Sequence, residues 1–217
     1  DPDVKKCRGI ILEKNTNKVL CYTFDRKQEF NWDSDNTSIC QSVDGSQLKL
    51  YYYNDEWMIS TTRCIDADKS FWYSEKSFKE LFDECLNESI IDYDKLNKEY
   101  CYSFVLCHKE NRIVIKHNMN HLVHVLTRDL SKDNYPFIDV DVGITKPEKV
   151  NIDNHDEIDK MISNNKTLEG LFMWRDGKHC KLKFDYYTNI KKLRSNSRDL
   201  LYEYIHNVCT GNKDMYI

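Results

Sequence analysis

Apolar and polar residues alternate through much of the first half of the chain. Arg8-Gly9-Ile10-Ile11-Leu12-Glu13 is a short apolar run, and residues 18–24 carry the two-residue period of a strand, with Asn15-Thr16-Asn17 as the turn between. Residues 46–53 and 57–62 predict a hairpin around Asn54-Asp55-Glu56. The period then lengthens: Phe78, Leu81, Phe82, Cys85 and Leu86 recur at helical spacing within residues 74–90, with Ser74 and Ser77 placed to cap that helix. Strands return at residues 101–106, 112–115 and 122–127, followed by a short helix at 156–163. Residues 168–174 and 179–183 form a second hairpin turned at Arg175-Asp176-Gly177, and residues 186–208 read as one or two helices. Groups of strands interrupted by single helices point to an α+β fold rather than a wound parallel sheet.

The length of 217 residues suits one domain, or one and a half. A chain that is 40% hydrophobic and 31% charged fits a soluble globular protein and excludes wholesale disorder. No stretch approaches the roughly 18 apolar residues of a membrane helix, so a membrane partner is not expected. No signal peptide opens the chain, which starts on Asp1 and reads as a trimmed segment of something longer. The balance of 32 Lys and Arg against 36 Asp and Glu leaves a net charge of −4, so a nucleotide or RNA site must come from local placement of charge. Nine cysteines, odd in number and without a CxxC pair, sit partly inside apolar runs such as Val19-Leu20-Cys21-Tyr22. They read as reduced, mostly buried thiols of a reducing, cytoplasmic compartment. His117, His121 and His124 lie near one another but without Cys or carboxylate partners at ligand spacing, and read as strand histidines rather than a zinc site.

Three short motifs carry candidate chemistry: Ser42-Val43-Asp44-Gly45, Leu168-Glu169-Gly170-Leu171, and Lys181-Leu182-Lys183-Phe184-Asp185-Tyr186-Tyr187. Each alone is weak, since Asp-Gly is commonly a turn and Lys-x-Lys a solvated strand face. Their order resembles the covalent nucleotidyltransferases, the superfamily of nucleic-acid ligases and mRNA capping enzymes, and within it the bacteriophage tRNA-repair type RNA ligases. Ser42-Val43-Asp44-Gly45-Ser46 stands where that family has its KxDG turn. Lys6-Cys7-Arg8-Gly9 resembles its CRG strand, and Phe24-Asp25-Arg26-Lys27-Gln28-Glu29-Phe30-Asn31 its basic-aromatic FFN segment. Tyr102-Ser103-Phe104-Val105 with Asn111-Arg112-Ile113-Val114 is similar to the FEF…NRIV block, and Glu169 to Tyr187 to the EGxV and paired-lysine strands. The resemblance spans about residues 6–194.

It implies a nucleotidyltransferase (ATP-grasp-like) domain with two mostly antiparallel sheets, flanking helices and a nucleotide cleft between the sheets. It also implies ATP or GTP as cofactor with Mg²⁺, because oxygen ligands and phosphates suit that ion. In the family a lysine amine attacks the α-phosphorus, carboxylates touch the ribose and position the metal, and two further lysines neutralise charge as pyrophosphate leaves. Carried onto this chain, Arg8, Asp44, Gly45, Glu169, Lys181 and Lys183 become the nucleotide-binding set, with Lys181 and Lys183 catalytic and Glu169 at the metal. The nucleophile position holds Ser42 instead of lysine. Ser103 replaces a glutamate, and a second family lysine falls near Thr62, beside Arg63. Lys49, on the strand after Ser42, lies too far along the chain to serve from the same turn. Lys27, Arg112, Lys191, Lys192 and Arg194 are the candidate RNA contacts. Trp57, Trp72 and Trp174 read as core residues ahead of base-stacking platforms.

The expectation is therefore an RNA-ligase-like domain at 1–194 and a C-terminal helical extension at 195–217. Its leading function is that of a degenerate pseudoenzyme binding a nucleotide or a phosphorylated or capped RNA 5′ end, with a partner protein or missing segment supplying specificity. The alternatives are an active ATP-dependent RNA ligase and a scaffold that uses the fold without a ligand.

Overall fold

The structure, a computed structural model, describes residues 8–25, 37–86, 91–152, 154–175, 178–193 and 199–213. Its elements run β1 (Ile11–Leu12), β2 (Val19–Cys21), β3 (Ser38–Ser42), β4 (Ser46–Tyr53), β5 (Glu56–Thr61), α1 (Phe78–Leu86), β6 (Tyr100–Cys107), β7 (His121–Asp129), β8 (Phe137–Ile138), α2 (His155–Asn164), β9 (Gly170–Arg175), β10 (Lys178–Lys183), α3 (Asp185–Leu193) and α4 (Leu200–Cys209). Every strand pairing among them is antiparallel, so the α+β reading with mostly antiparallel sheets is the observed architecture. The chain divides into two compact units, each assembled from separate stretches.

The first unit draws on the stretches 1–29, 45–112 and 117–147. It holds the five-stranded sheet β5-β4-β6-β7-β8 and the small β1-β2 pair. The β4–β5 hairpin turns through Asn54 and Asp55 at φ 52° and 61°, the left-handed pair that matches the twist of a two-residue hairpin. Helix α1 opens on a capping box, in which the Ser77 hydroxyl accepts from the Glu80 N–H and the Glu80 carboxylate accepts from the Ser77 N–H. Its apolar stripe of Phe78, Leu81, Phe82 and Cys85 belongs to one core with Leu48, Leu50, Phe104, Leu106 and Leu122 from the sheet. His124 lies in the same sheet, with Nε2 2.8 Å from Thr127 Oγ1, and burial lowers its pKa to about 4. Among the three neighbouring histidines, it is the one that behaves as a core residue.

The second unit draws on 30–44, 113–116 and 148–217. Its sheet has the order β10-β9-β3, with Ile39, Leu171, Met173 and Phe184 packed against Ile152 and Ile158. The outer side of β3 is also covered, because Gln41 N–H donates to Glu148 O and Val150 N–H donates to Ile39 O. Asn154 caps α2 through a bond from the Glu157 N–H.

Two expectations need correction. Residues 112–115 form no strand, because the Val114 and Ile115 N–H groups are taken by the Asp44 carboxylate instead of a neighbouring strand. The first two strands are shorter than their apolar runs, since Asn15 and Asn17 turn the chain at positive φ and leave only two paired positions. The predicted turn at Asp176-Gly177 lies outside the described residues, although β9 and β10 pair as that hairpin requires. Among the described residues no helix is long and apolar enough to cross a membrane.

Candidate functional site

The candidate residues of the second unit meet at the end of its sheet where three chain segments converge. Gly170 opens β9 and pairs with Ser42 on one side and Lys183 on the other. Glycine is required here: a Cβ would collide with the Leu182 carbonyl oxygen of β10. Glu169, one residue earlier, is buried, and its carbonyl accepts the Phe184 N–H at 3.0 Å. Its carboxylate is the hub of the site. Ser42 Oγ donates to Glu169 Oε2 at 3.0 Å, Lys181 Nζ stands 2.5 Å from the same oxygen, and Lys183 Nζ stands 3.3 Å from Oε1. Lys181 and Lys183 reach it together because alternate residues of a strand share a face.

Asp44 is held separately, by three hydrogen-bond donors. Its Oδ2 accepts from Val114 N–H at 2.9 Å and Ile115 N–H at 2.7 Å, and its Oδ1 accepts from the Tyr187 hydroxyl at 2.7 Å. Tyr187 comes from α3, which starts immediately after β10 and carries the ring back over the site. Lys183 Nζ lies 5.2 Å and Lys191 Nζ 5.6 Å from the Tyr187 ring centroid, within reach of cation–π attraction.

The electrostatics follow from this crowding. Burial raises the Glu169 carboxyl, but Lys181, Lys183 and the Ser42 hydroxyl outweigh it and hold the pKa below the ordinary value. Burial lowers Lys181 against the opposing pull of Glu169. Burial and the charge of Lys183 lower Lys191. Burial, with the charges of Glu169 and Asp44, raises the Tyr187 phenol far above the usual tyrosine range, so it remains a donor at any physiological pH. Three ammonium groups face two carboxylates, and the cluster carries a net positive charge beside partly exposed lysines. Such a cluster attracts an anion, and phosphate oxygens are the natural acceptors for it.

No protein-family model matches the chain. It is 28% identical over 225 residues to a putative bifunctional polynucleotide kinase/RNA ligase of Autographa californica nuclear polyhedrosis virus, covering 91% of this chain and 32% of that protein. It is 26% identical over 168 residues to an RNA ligase of Rhodothermus phage RM378, covering 58% of this chain and 38% of the phage protein. A solved structure of a Naegleria gruberi RNA ligase mutant with ATP and Mn superimposes with a TM-score of 0.55 at 13% identity, over 74% of this chain and 53% of that one. The fold is that of the RNA-ligase nucleotidyltransferases. The chain resembles that family in sequence and spans about half the length, or less, of the relatives it matches.

Set on the RNA-ligase fold, the sequence-derived candidates separate into groups. Ser42, Asp44, Glu169, Lys181 and Lys183 come together in the second unit. Arg8 belongs to the first unit, exposed in the turn before β1, and Gly45 immediately precedes β4 there, where a Cβ would collide with the Leu106 carbonyl. Arg112 is exposed at the end of a single helical turn. Lys191 and Lys192 lie on α3, and Lys191 turns out to share the Tyr187 face of the cluster. Lys27 and Arg194 lie outside the described residues. Lys49 is buried in β4 with its ammonium 2.5 Å from the Gly9 carbonyl, opposite Ser60 and Ser103 in an unslipped register. Ser103 is fully buried in β6. Trp57 packs edge-on against Tyr52 in the core region, Trp72 packs against the same core, and Trp174 stacks on His179 at 5.9 Å.

Tyr187 and the Val114 and Ile115 amides escaped the sequence reading. The four-residue spacing of Tyr187 and Lys191 was the available signal for the first, whereas backbone donors leave none. As arranged, the carboxylates make no cage for a divalent ion held by protein alone. Asp44 is fully engaged by hydrogen-bond donors, and Glu169 is claimed by two ammonium groups and a hydroxyl. A magnesium ion takes near-octahedral oxygen coordination, and this donor set fits a phosphate better than a metal.

Proposed function

We propose that this cluster binds the phosphates of a nucleotide, or of a phosphorylated or capped RNA 5′ end, without forming a covalent enzyme–nucleotide bond. The chain is then a degenerate RNA-ligase-like module. The observation that carries this reading is the Ser42 hydroxyl resting on Glu169. Attack on an α-phosphorus needs a partly deprotonated amine, or a hydroxyl with a base to take its proton. Glu169 is a poor base for that task, since its lysine partners hold its pKa below the usual range. Lys181 and Lys183 meanwhile stand together, each about a third exposed, in position to meet phosphate oxygens. Any Mg²⁺ would arrive on the phosphates of ATP or GTP. Lys191, Lys192 and Arg112 are the described candidates for contacts along an RNA backbone.

The test is calorimetric titration of the full chain with ATP, GTP, and 5′-triphosphorylated and capped short RNAs in Mg²⁺, with pyrophosphate release followed in parallel. The expected result is binding of at least one ligand without turnover, weakened about tenfold or more in Lys181→Ala with Lys183→Ala. Pyrophosphate release would instead show that nucleotidyl transfer survives and would overturn the degenerate reading. Absence of binding to every ligand would leave the scaffold use of the fold.

A further inference from the structure

A second constellation lies wholly within the first unit and shares no residue with the proposed phosphate site. Strands β6 and β7 pair in a register that sets Cys107 directly across from His121. The connection between them returns His117 to the same place, its ring 5.6 Å from that of His121 and nearly perpendicular to it at 84°. The Cys107 sulfur and one ring nitrogen of each histidine all lie within 4.8 Å of one another. Sequence spacing hid this, because the cysteine joins the histidines through cross-strand pairing and not through proximity along the chain.

We propose that Cys107, His117 and His121 form a zinc site. One thiolate and two imidazoles are a donor set that suits Zn²⁺ and makes three of the four ligands of a tetrahedral centre, leaving the fourth position to water. Ligand atoms around such an ion stand roughly 3.3–3.6 Å apart, so side-chain rotations of about an ångström close the site. The tautomer of His121 suits this role. Its Nδ1 lies 3.2 Å from the Met119 carbonyl oxygen, which can only accept, so Nδ1 carries the proton and Nε2 presents its lone pair. Cys107 is fully buried while both histidines are half-exposed, so the thiol forms the floor of the site and the imidazoles its mouth. Binding exchanges the thiol proton for the metal: the S–H bond breaks, the proton passes to solvent, and the sulfur lone pair bonds Zn²⁺. The ion would clip the ends of the β6–β7 connection together. This site does not depend on the phosphate-binding reading.

The experiment uses the full chain stripped with a chelator and titrated with Zn²⁺, and separately with Co²⁺ as a spectroscopic probe. The expected result is one metal per chain, with a thiolate-to-cobalt charge-transfer band in the near ultraviolet and tetrahedral ligand-field bands in the visible. His117→Asn and His121→Asn should each weaken binding at least tenfold, Cys107→Ser should abolish the charge-transfer band, and Cys209→Ser should leave both unchanged. Cys107 is buried and its variant can fail to fold, so His117→Asn, at a half-exposed position and checked by circular dichroism, decides the matter. Absence of the band in the wild-type chain, or a band and affinity unaltered in both histidine variants, overturns the proposal.

Discussion

Ser42 Oγ donates to Glu169 Oε2 at 3.0 Å, into a carboxylate that Lys181 and Lys183 already neutralise. The position that resemblance gives to a lysine nucleophile is thus filled by a short neutral side chain that completes the coordination of Glu169. The charged cluster is internally satisfied, and in the proposed reading the group able to form a phosphoramidate is missing. The consequences reach stability as well as ligand binding.

Glu169→Gln removes the hub. The ordinary pKa of this carboxyl is 4.5 and the folded protein holds it lower. Its charged form therefore adds stability that is fully present above that value and is lost as pH falls through the folded-state pKa. Because both lysines are about a third exposed, the loss at pH 7 should be modest, about 1–2 kcal/mol. Urea unfolding of wild type and variant at neutral and acid pH checks this. The gap should narrow below pH 4.5, and a gap that widens there contradicts the assignment.

Tyr187→Phe and Asp44→Ala separate two layers of the same anchor. The first removes one hydrogen bond to a buried carboxylate and should cost about 1.5–3 kcal/mol. The second also takes the acceptor from the Val114 and Ile115 amides, and should cost roughly 2 kcal/mol more. Thermal melts rank the two, and an equal or reversed order would mean that the 113–116 segment finds its partners elsewhere.

Gly170→Ala tests the close approach of β9 and β10. The added methyl meets the Leu182 carbonyl oxygen, which is backbone and cannot swing away. A loss of about 3 kcal/mol is expected in chemical denaturation, and a variant as stable as wild type would show that the hairpin is looser than its register implies.

The strand groups, the β4–β5 hairpin, α1 with its Ser77 cap and the two C-terminal helices were legible because their periodicity and turn chemistry agree. Ser42, Glu169, Lys181 and Lys183 were legible as a set through resemblance, since none of their motifs is specific alone. Strand β3 was not read from periodicity: only Ile39 and Cys40 in Ser38–Ser42 are apolar, and its identity comes from pairing with β9. Residues 112–115 look like a strand because Ile113, Val114 and Ile115 are β-branched and apolar, yet the Val114 and Ile115 amides serve Asp44, about 70 positions earlier in the chain. Cys107 with His117 and His121 was hidden for the same reason. Local pattern reports what a segment prefers, and these features depend on a partner distant along the chain.

The central proposal is that the phosphate-facing lysines persist on this fold while Ser42 holds the position of the nucleophile. It is tested most directly by incubating the wild-type chain and Ser42→Lys with α-³²P-labelled ATP, and separately GTP, in Mg²⁺, followed by denaturing electrophoresis. The expected result is no label on the wild-type protein and a covalent label on Ser42→Lys. A label on the wild-type protein, or none on either, would contradict it.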